Sequence, residues 1–284
     1  MLKIGEVGKF IVKRETDISY TLAPEDPDLT NYIFLHFNQA TRRLSIGETI
    51  DAFLYYDGKK RLCATMESPI ITTQLFDFVE VVNQCEAGVF VNIGIAKDIL
   101  LSTDYLPTNP IAWPKVGEKI PCILKEKKEQ LVARIISKED LKQHKIPPLE
   151  VGTTVSATVC RLTSTGIGLY TNAFQYIYVH KSMTRKKYHL GESVDVHIIH
   201  INEHLDVNGS MIAQKELSRL DDARVLLKEL ESFGGVLPLG NLSTPEEIAR
   251  HTHMSKSAFK RAVGALYKER KIQISDYRIE LVQK

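Results

Sequence analysis

The sequence predicts a mainly β, multidomain chain: three tandem five-stranded β-barrels of the OB type, followed by an α+β winged-helix domain. Three observations carry that reading. A short phrase recurs at domain-sized intervals of 70 and 74 residues: Ile46-Gly47-Glu48-Thr49-Ile50, Val116-Gly117-Glu118-Lys119-Ile120 and Leu190-Gly191-Glu192-Ser193-Val194. Each copy leads into an apolar, β-branched run, at Asp51–Tyr56, Pro121–Leu124 and Asp195–Ile201. From Leu220 onward the apolar residues switch to helical spacing. A period near 70 exceeds the roughly 20–50 residues of solenoid repeats, so it points to independent beads. The expected domains are 1–70, 71–145, 149–214 and 218–284.

In the first bead, Phe10–Val12 and Ser19–Leu22 read as strands, and Ala23–Thr30, rich in Pro and Asp, reads as a loop. Tyr32–Phe37 is a third strand, and Thr49–Tyr56 with Arg61–Thr65 form a hairpin across Asp57-Gly58. Five short strands with a long third-to-fourth connection suit a small Greek-key barrel. The second bead repeats the order at Phe76–Val82, Gly88–Ile93, Ile99–Leu101, Lys119–Lys125 and Leu131–Ile136. Its long connection holds Pro107, Pro110, Trp113 and Pro114, which predicts a stiff segment packed on a neighbour. Pro147-Pro148 marks a linker. The third bead follows at Thr154–Cys160, Gly166–Thr171, Tyr176–Val179, Ser193–Ile201 and Leu205–Ala213.

Beyond it, Ala223, Leu226, Leu227 and Leu230 mark a helix that Gly234-Gly235 stop. Ser243-Thr244-Pro245-Glu246-Glu247 starts a second helix with a hydroxyl cap, Pro in the first turn and acids on the positive end of the dipole. A break at His251–Met254 precedes Ser255, the cap of a third helix running to about Lys268. Ile272–Ser275 and Arg278–Val282 then alternate as two short strands. Three helices and a hairpin in that order are the plan of a winged helix.

Composition narrows the function. Charged residues at 25% and hydrophobic residues at 43% describe ordinary globular protein. No stretch approaches the roughly 18 apolar residues of a membrane span, and residues 1–6 lack a signal-peptide core, so a cytoplasmic protein without membrane association is expected. Cys63, Cys85, Cys122 and Cys160 lie far apart beside strand residues, as buried free thiols would. The net charge is only +2, but basic residues cluster at Lys59–Arg61, Lys125–Lys128, Lys181 with Arg185–Lys187, and Lys256–Lys271. One cluster per bead points to nucleic acid, and solvated surface is the competing reading for each. His197, His200 and His204 lack the Cys or carboxylate company of a metal site. With no phosphate loop, nucleophile elbow or paired carboxylates, no enzyme, cofactor or metal is expected.

Several stretches resemble a known family. Gly88-Val89-Phe90-Val91 is similar to the second-strand Phe-Gly-x-Phe-Val of S1 RNA-binding domains, and Tyr178-Val179-His180-Lys181-Ser182 to their Gly-Leu-Val-His-x-Ser. Three S1-like beads ahead of a winged helix resemble the conserved virulence factor B family of Firmicutes, most specifically over Ser243–Ile272 and at Trp113–Gly117. The resemblance implies a bacterial post-transcriptional regulator bearing on virulence. It also implies an RNA platform of two second-strand rings, a third-strand His and an Asp-x-x-x-Arg on the last hairpin. Carried over, bead one keeps His36, Asp57 and Arg61, but has Ile18 and Thr21 at the ring positions, with Tyr20 and Phe34 as the nearest substitutes. Bead two keeps Phe90, with Ala87 for the first ring and Ser102 for the His. Bead three keeps His180 and Lys181 beside Tyr178, with Thr165 and Gly168 at the ring positions. No bead is complete, which predicts a composite surface.

Strand alternation puts Phe34 with His36, and Tyr178 with His180, on shared faces, while barrel core competes for Phe34 and Phe90. In the last helix Phe259, Ala262, Val263 and Leu266 form an apolar stripe opposite Lys256, Lys260, Arg261, Lys268 and Lys271. That arc suits phosphate contact more than base reading. The leading expectation is a non-catalytic protein engaging single-stranded RNA over several barrels, with the winged helix as a further contact. A DNA-binding factor reading duplex DNA (or duplex RNA) through the winged helix stays open. So does a protein adaptor, associated with a ribosome or an RNase, built on degenerate barrels.

Overall fold

The computed structural model describes residues 3–25, 32–128, 130–184, 186–203, 206–212 and 214–282, with side chains from residue 222 onward in the last range. Residues 26–31 of the expected first loop, Arg185, His204, Leu205 and Ala213 lie outside the described residues. The chain forms two compact units, Met1–Met211 and Ile212–Lys284.

The first unit holds three closed five-stranded barrels. Strands β1 (Val7–Glu15), β2 (Ser19–Pro24), β3 (Ile33–His36), β4 (Thr49–Tyr56) and β5 (Leu62–Thr65) close in the order β1-β2-β3-β5-β4. The second barrel, β6 (Asp77–Cys85), β7 (Gly88–Asn92), β8 (Ile99–Ser102), β9 (Lys119–Glu126) and β10 (Leu131–Ile135), has the same cyclic order. So does the third, β11 (Thr154–Leu162), β12 (Gly166–Thr171), β13 (Tyr176–His180), β14 (Ser193–Ile201) and β15 (Val207–Ser210). In each barrel the third and fifth strands run parallel and every other pairing is antiparallel.

The recurring phrase is a latch. Gly47, Gly117 and Gly191 have φ of 88°, 88° and 81°, a region that costs glycine little and other residues more. Each glycine N–H donates to a first-strand valine carbonyl, of Val12, Val81 and Val159, at 2.8 Å. The same valine N–H returns a 2.9 Å bond to the carbonyl of Glu48, Glu118 or Glu192. The glutamate side chain accepts from the backbone N–H three residues earlier, of Ser45, Lys115 and His189. Immediately after each valine the first strand bulges, between Val12 and Arg14, Val81 and Asn83, and Val159 and Arg161.

The barrels are not separate beads, because each leaves apolar surface that its neighbour covers, and one hydrophobic cluster runs through all three. Glu6 accepts from Thr73 Oγ1 at 2.7 Å and Gln74 Nε2 at 2.8 Å across the first junction. At the second, Phe174 meets Phe76 and Phe78 at 4.9 and 5.4 Å between ring centroids. The proline-rich connection packs as expected from its stiffness: Trp113 is buried, donates Nε1–H to the Pro107 carbonyl at 2.7 Å, and lies beside Ala112, whose carbonyl accepts from Leu190 N. His189 bridges the same junction, 2.7 Å from Glu118 and 3.2 Å from Glu192. Cys63, Cys122 and Cys160 are buried thiols, whereas Cys85, at the hairpin end of β6, is exposed.

The hairpin after β4 differs from the expected two-residue turn. Asp57 Oδ1 accepts from Lys59 N at 2.8 Å and Arg61 N at 2.9 Å, and the positive φ falls on Lys60 instead of Gly58. The aspartate therefore winds a five-residue loop, residues 57–61, through its side chain, as Asx turns do.

In the second unit, α1 (Gln214–Ser232), α2 (Pro245–Thr252) and α3 (Lys256–Lys268) accompany a small sheet of β16 (Val236–Leu237), β17 (Ile272–Ile274) and β18 (Ile279–Leu281), ordered β16-β18-β17. α1 begins before Leu220, and the two-residue β16 was too short for a sequence signal. Thr244, not Ser243, caps α2 and completes a capping box with Glu247; Ser243 is buried and accepts from Gly240 N instead. Phe259, Ala262, Val263 and Leu266 are all buried, which fixes the rotation of α3. Among the described residues no helix is long and apolar enough to cross a membrane.

Two outcomes test this architecture. A Cβ on Gly117 meets nothing within 4 Å, so Gly117→Ala costs only backbone strain, about 1–3 kcal/mol. Urea denaturation should register that loss, with Gly58→Ala, at ordinary φ, as the neutral control. In the segment after β10, Arg134 donates two bonds to Asp140, at 2.8 and 2.5 Å, and with Ser137 holds that carboxyl at about 2. A carboxyl lowered on folding stabilises fully above its unfolded pKa of about 3.9 and loses that contribution as pH falls toward 2. Asp140→Asn should flatten the acid limb of a stability–pH profile between about pH 4 and 2.

Candidate nucleic-acid interface

The bulge in each first strand re-aims the residue after it, and register then extends that residue into an outward row across the barrel. In barrel one the row is Arg14, Thr21, Phe34, Cys63 and Tyr55. In barrel two it is Asn83, Phe90, Leu100, Val132 and Lys125. In barrel three it is Arg161, Gly168, Tyr178, Asn208 and His200. Alternate residues of β3 and β13, such as Leu35 and Val179, face the core, so Phe34, His36, Tyr178 and His180 lie on the outer side. Each row centres on one large ring, supplied by β3, β7 and β13 in turn.

In barrel one, the Arg61 guanidinium lies 5.8 Å from the Phe34 ring centre and is held by Asp57 through Nε and Nη2, both at 2.7 Å. Burial alone would raise the Asp57 carboxyl, but hydrogen bonds from the Arg61 backbone and side chain and from Lys59 N hold it below its ordinary value. Phe34 lines a shallow pocket with Lys13, Arg14, Thr21 and Tyr32. At the other end of the row, Lys97 from the β7–β8 loop of barrel two reaches into barrel one, donates to the Tyr56 carbonyl and lies 5.8 Å from the Tyr55 ring centre. Burial lowers the Lys97 ammonium and pushes the Tyr55 phenol up to about 12.

His36, Ser102 and His180 occupy one position. Each ends the third strand, and its side chain accepts from the N–H two residues on, of Asn38, Asp104 and Ser182, to cap a 3-10 turn. Capping engages Nδ1 of each histidine. Serine therefore keeps the structural half of the role and loses the ring. Lys181, next to His180, is exposed. Phe90 is half-buried between Asn83 and Leu100.

Barrel three explains its missing rings. A Cβ on Gly168 would stand 2.5 Å from the Tyr176 hydroxyl, and one on Gly166 would stand 2.6 Å from that of Tyr178. The glycines are the floor on which the two tyrosines lie. Thr165 accepts the Tyr178 hydroxyl proton at 3.0 Å, so the position expected to carry a ring anchors one. Lys138, from the segment after barrel two, lies 4.6 Å from the Tyr176 ring centre and pairs with Asp206 at 2.5 Å. Asp206 takes the place of Arg61, since Asn202 and Asp206 make the same turn bonds as Asp57 and Arg61.

Tyr20 is a correction. It is 3% exposed, packs edge-on against Phe37 at 5.0 Å, and its hydroxyl accepts from Leu44 N at 3.1 Å. It is core, because alternation puts it with Leu22 on the inner face. Arg14, Arg161, Tyr55, Tyr176, Lys97 and Lys138 were missed from sequence. The bulges that turn the two arginines outward and the contacts between barrels leave no local signal.

On α3, Lys256 and Lys260 line a groove of about 360 Å³ with Asn241, Ser243, Gly264 and Tyr267. Lys256, Lys260 and Lys268 have no ion-pair partner among the described residues. Arg261 instead turns to Asp222 on α1, at 2.8 Å, and Lys271 pairs with Glu269 at 2.8 Å. Both therefore approach a ligand only by giving up an existing partner.

Comparison with known proteins agrees with this organisation. The family profile described as CvfB-like winged helix domain matches residues 224–281, that of CvfB first S1-like domain matches 76–134, and that of S1 domain matches 4–67. These are nucleic-acid-binding domain types. The uncharacterized protein YitL of Bacillus subtilis is 31% identical over 95% of this chain and 91% of its own. Conserved virulence factor B of Staphylococcus epidermidis is 32% identical over 84% of this chain and 82% of its own. A crystal structure of a multidomain protein with nucleic acid binding domains from Streptococcus pneumoniae superposes with a TM-score of 0.58, at 26% identity, covering 98% of both chains.

The reassignment of Tyr20 predicts that Tyr20→Phe orphans the Leu44 N–H and lowers stability by about 1–3 kcal/mol. Chemical denaturation monitored by circular dichroism checks it, with Tyr178→Phe, whose phenol is on the surface, as the mild comparison.

Proposed function

Because the chain belongs to the conserved virulence factor B family, we propose that it is a non-catalytic bacterial RNA-binding protein that engages single-stranded RNA across its barrels. One observation carries the proposal: each barrel turns a row with a large ring outward, and in barrels one and three an arginine starts that row. Unstacked bases gain about 1–3 kcal/mol each on such rings, while cations alongside neutralise phosphates. Duplexes hide their base faces, so this surface favours single strands. The supporting cations come partly from a neighbour, as Lys97 and Lys138 do, which makes the barrels cooperate as one platform. The winged helix adds charge through Lys256, Lys260 and Lys268. The family name supports a link to virulence, which RNA binding would exert after transcription.

The duplex-DNA reading keeps one specific support, the α3 groove with Lys260 and the 60% exposed Tyr267 at its edge. Its candidate arginine is held by Asp222, which leaves few side chains for base edges.

Fluorescence titration with single-stranded RNA, single-stranded DNA and duplex DNA at two salt concentrations tests the proposal. Single-stranded RNA should bind best, and Phe34→Ala or Tyr178→Ala should each weaken it by roughly 5- to 150-fold. Changing Lys256, Lys260 and Lys268 together to Ala should flatten the salt dependence by up to about two units of slope. Duplex preference, with both ring variants silent, would replace this reading with the DNA-binding one.

A further inference from the structure

The three outward rows occupy equivalent positions, so differences between them isolate what each can do beyond stacking. Beside the ring, barrel one presents Cys63, a buried thiol, and then Tyr55, already covered by Lys97. Barrel two presents Leu100 and Val132, which are aliphatic, and its Asn83 is occupied by Gln84 N at 2.8 Å. Barrel three presents Asn208 directly opposite Tyr178, and His200 opposite Asn208. Neither side chain has a hydrogen-bond partner among the described residues. Asn208 is half-exposed and His200 exposed.

Asparagine is disfavoured in strands, and here it serves no bond of the fold. Its outward direction is settled by its neighbour: a Cβ on Gly209 would strike Val196, Ile177 and Val179, so Gly209 faces the core and Asn208 faces away. A bulge in β14 between Ile198 and His200 brings the imidazole into the same row.

The ring itself is fixed. Gly166 beneath it and the hydroxyl bond to Thr165 hold Tyr178 flat on the barrel. A base stacked there projects its edge sideways, and adjacent strands lie only about 4.8 Å apart. The amide carries two donors and an acceptor with two lone pairs, the complement of a Watson–Crick edge. A carboxamide beside a stacking ring can both donate to and accept from a base edge, where a lysine can only donate.

We infer that barrel three contains a base-reading subsite, in which Tyr178 stacks one unpaired RNA base and Asn208 hydrogen-bonds its edge, with His200 next along the row. The subsite rests on the single-stranded RNA reading and adds sequence preference through an unengaged carboxamide, which neither of the other two rows carries among the described residues.

The test titrates the full-length protein with oligouridylate, oligocytidylate and oligoadenylate of equal length. Wild type should prefer one of the three by roughly 5- to 100-fold, the range of one well-made amide–base pair. Asn208→Ala should bring the three affinities to within about 3-fold of one another, by weakening the preferred oligomer most. Asn208→Asp, equal in size but without the amide donors, should also lose the preference. Tyr178→Ala should lower all three affinities by similar factors. Melting temperatures of the Asn208 variants should match wild type, because no bond of the fold is removed. A preference that survives in Asn208→Ala, or no preference in wild type, overturns the subsite and leaves RNA binding standing. Absence of binding to all three by wild type overturns both.

Discussion

The backbone exchange between each Gly-Glu turn and a first-strand valine is the constraint on which the rest of the barrels depends. Two bonds of 2.8 and 2.9 Å tie Val12, Val81 and Val159 to the third-to-fourth connection just where the strand is about to bulge. The bulge inserts one residue, so Arg14, Asn83 and Arg161 gain the outer face that strict alternation would deny them. The outward rows follow from that single shift. Glycine is required at the turn by its positive φ, and glutamate closes the turn by capping a backbone N–H. The same Gly-Glu pair makes the same two bonds in all three barrels, so the repeated sequence encodes a repeated geometry.

Coupling between barrels follows from what each barrel lacks. Barrel two has no arginine in its own row, yet Lys97 and Lys138, from its own loop and the segment that follows it, lie over tyrosines of barrels one and three. Aromatic residues close the second junction around Phe174, and His189 bridges the glutamates of two latches. Cations of barrel two and the segment after it therefore lie over rings of both neighbouring barrels. On the second unit, α3 offers Lys256, Lys260 and Lys268, which have no ion-pair partner among the described residues, while its best base-reading candidate, Arg261, is committed to α1. That division of labour fits stacking on the barrels and charge on the winged helix.

Much of the fold was legible because its signals are local. The repeat fixed the number of barrels, alternation gave most strands, and the stripe of Phe259, Ala262, Val263 and Leu266 gave the rotation of α3. The site was legible only in part. Arg61 with Asp57 was legible through the Asp-x-x-x-Arg that the family resemblance implies, and Phe34 with His36 through alternation. Tyr20 was misplaced because a ring near a motif resembles a platform until its parity with Leu22 is applied. Thr165 and Gly168 looked like losses, since sequence does not show that Thr165 anchors the Tyr178 hydroxyl and that the Tyr176 ring lies across Gly168. Asn208 reaches Tyr178 through a parallel pairing and His200 through an antiparallel pairing beside a bulge, and neither is encoded in neighbouring residues.

Photo-crosslinking of a single-stranded RNA carrying 4-thiouridine to the full-length protein, with mass spectrometry of the adducts, tests the central claim most directly. The account predicts adducts on the outward rows, at Phe34, Phe90 or Tyr178 and the residues beside them in register, and none at Tyr20. Adducts confined to α3, or to strand residues on the inner parity, would contradict it.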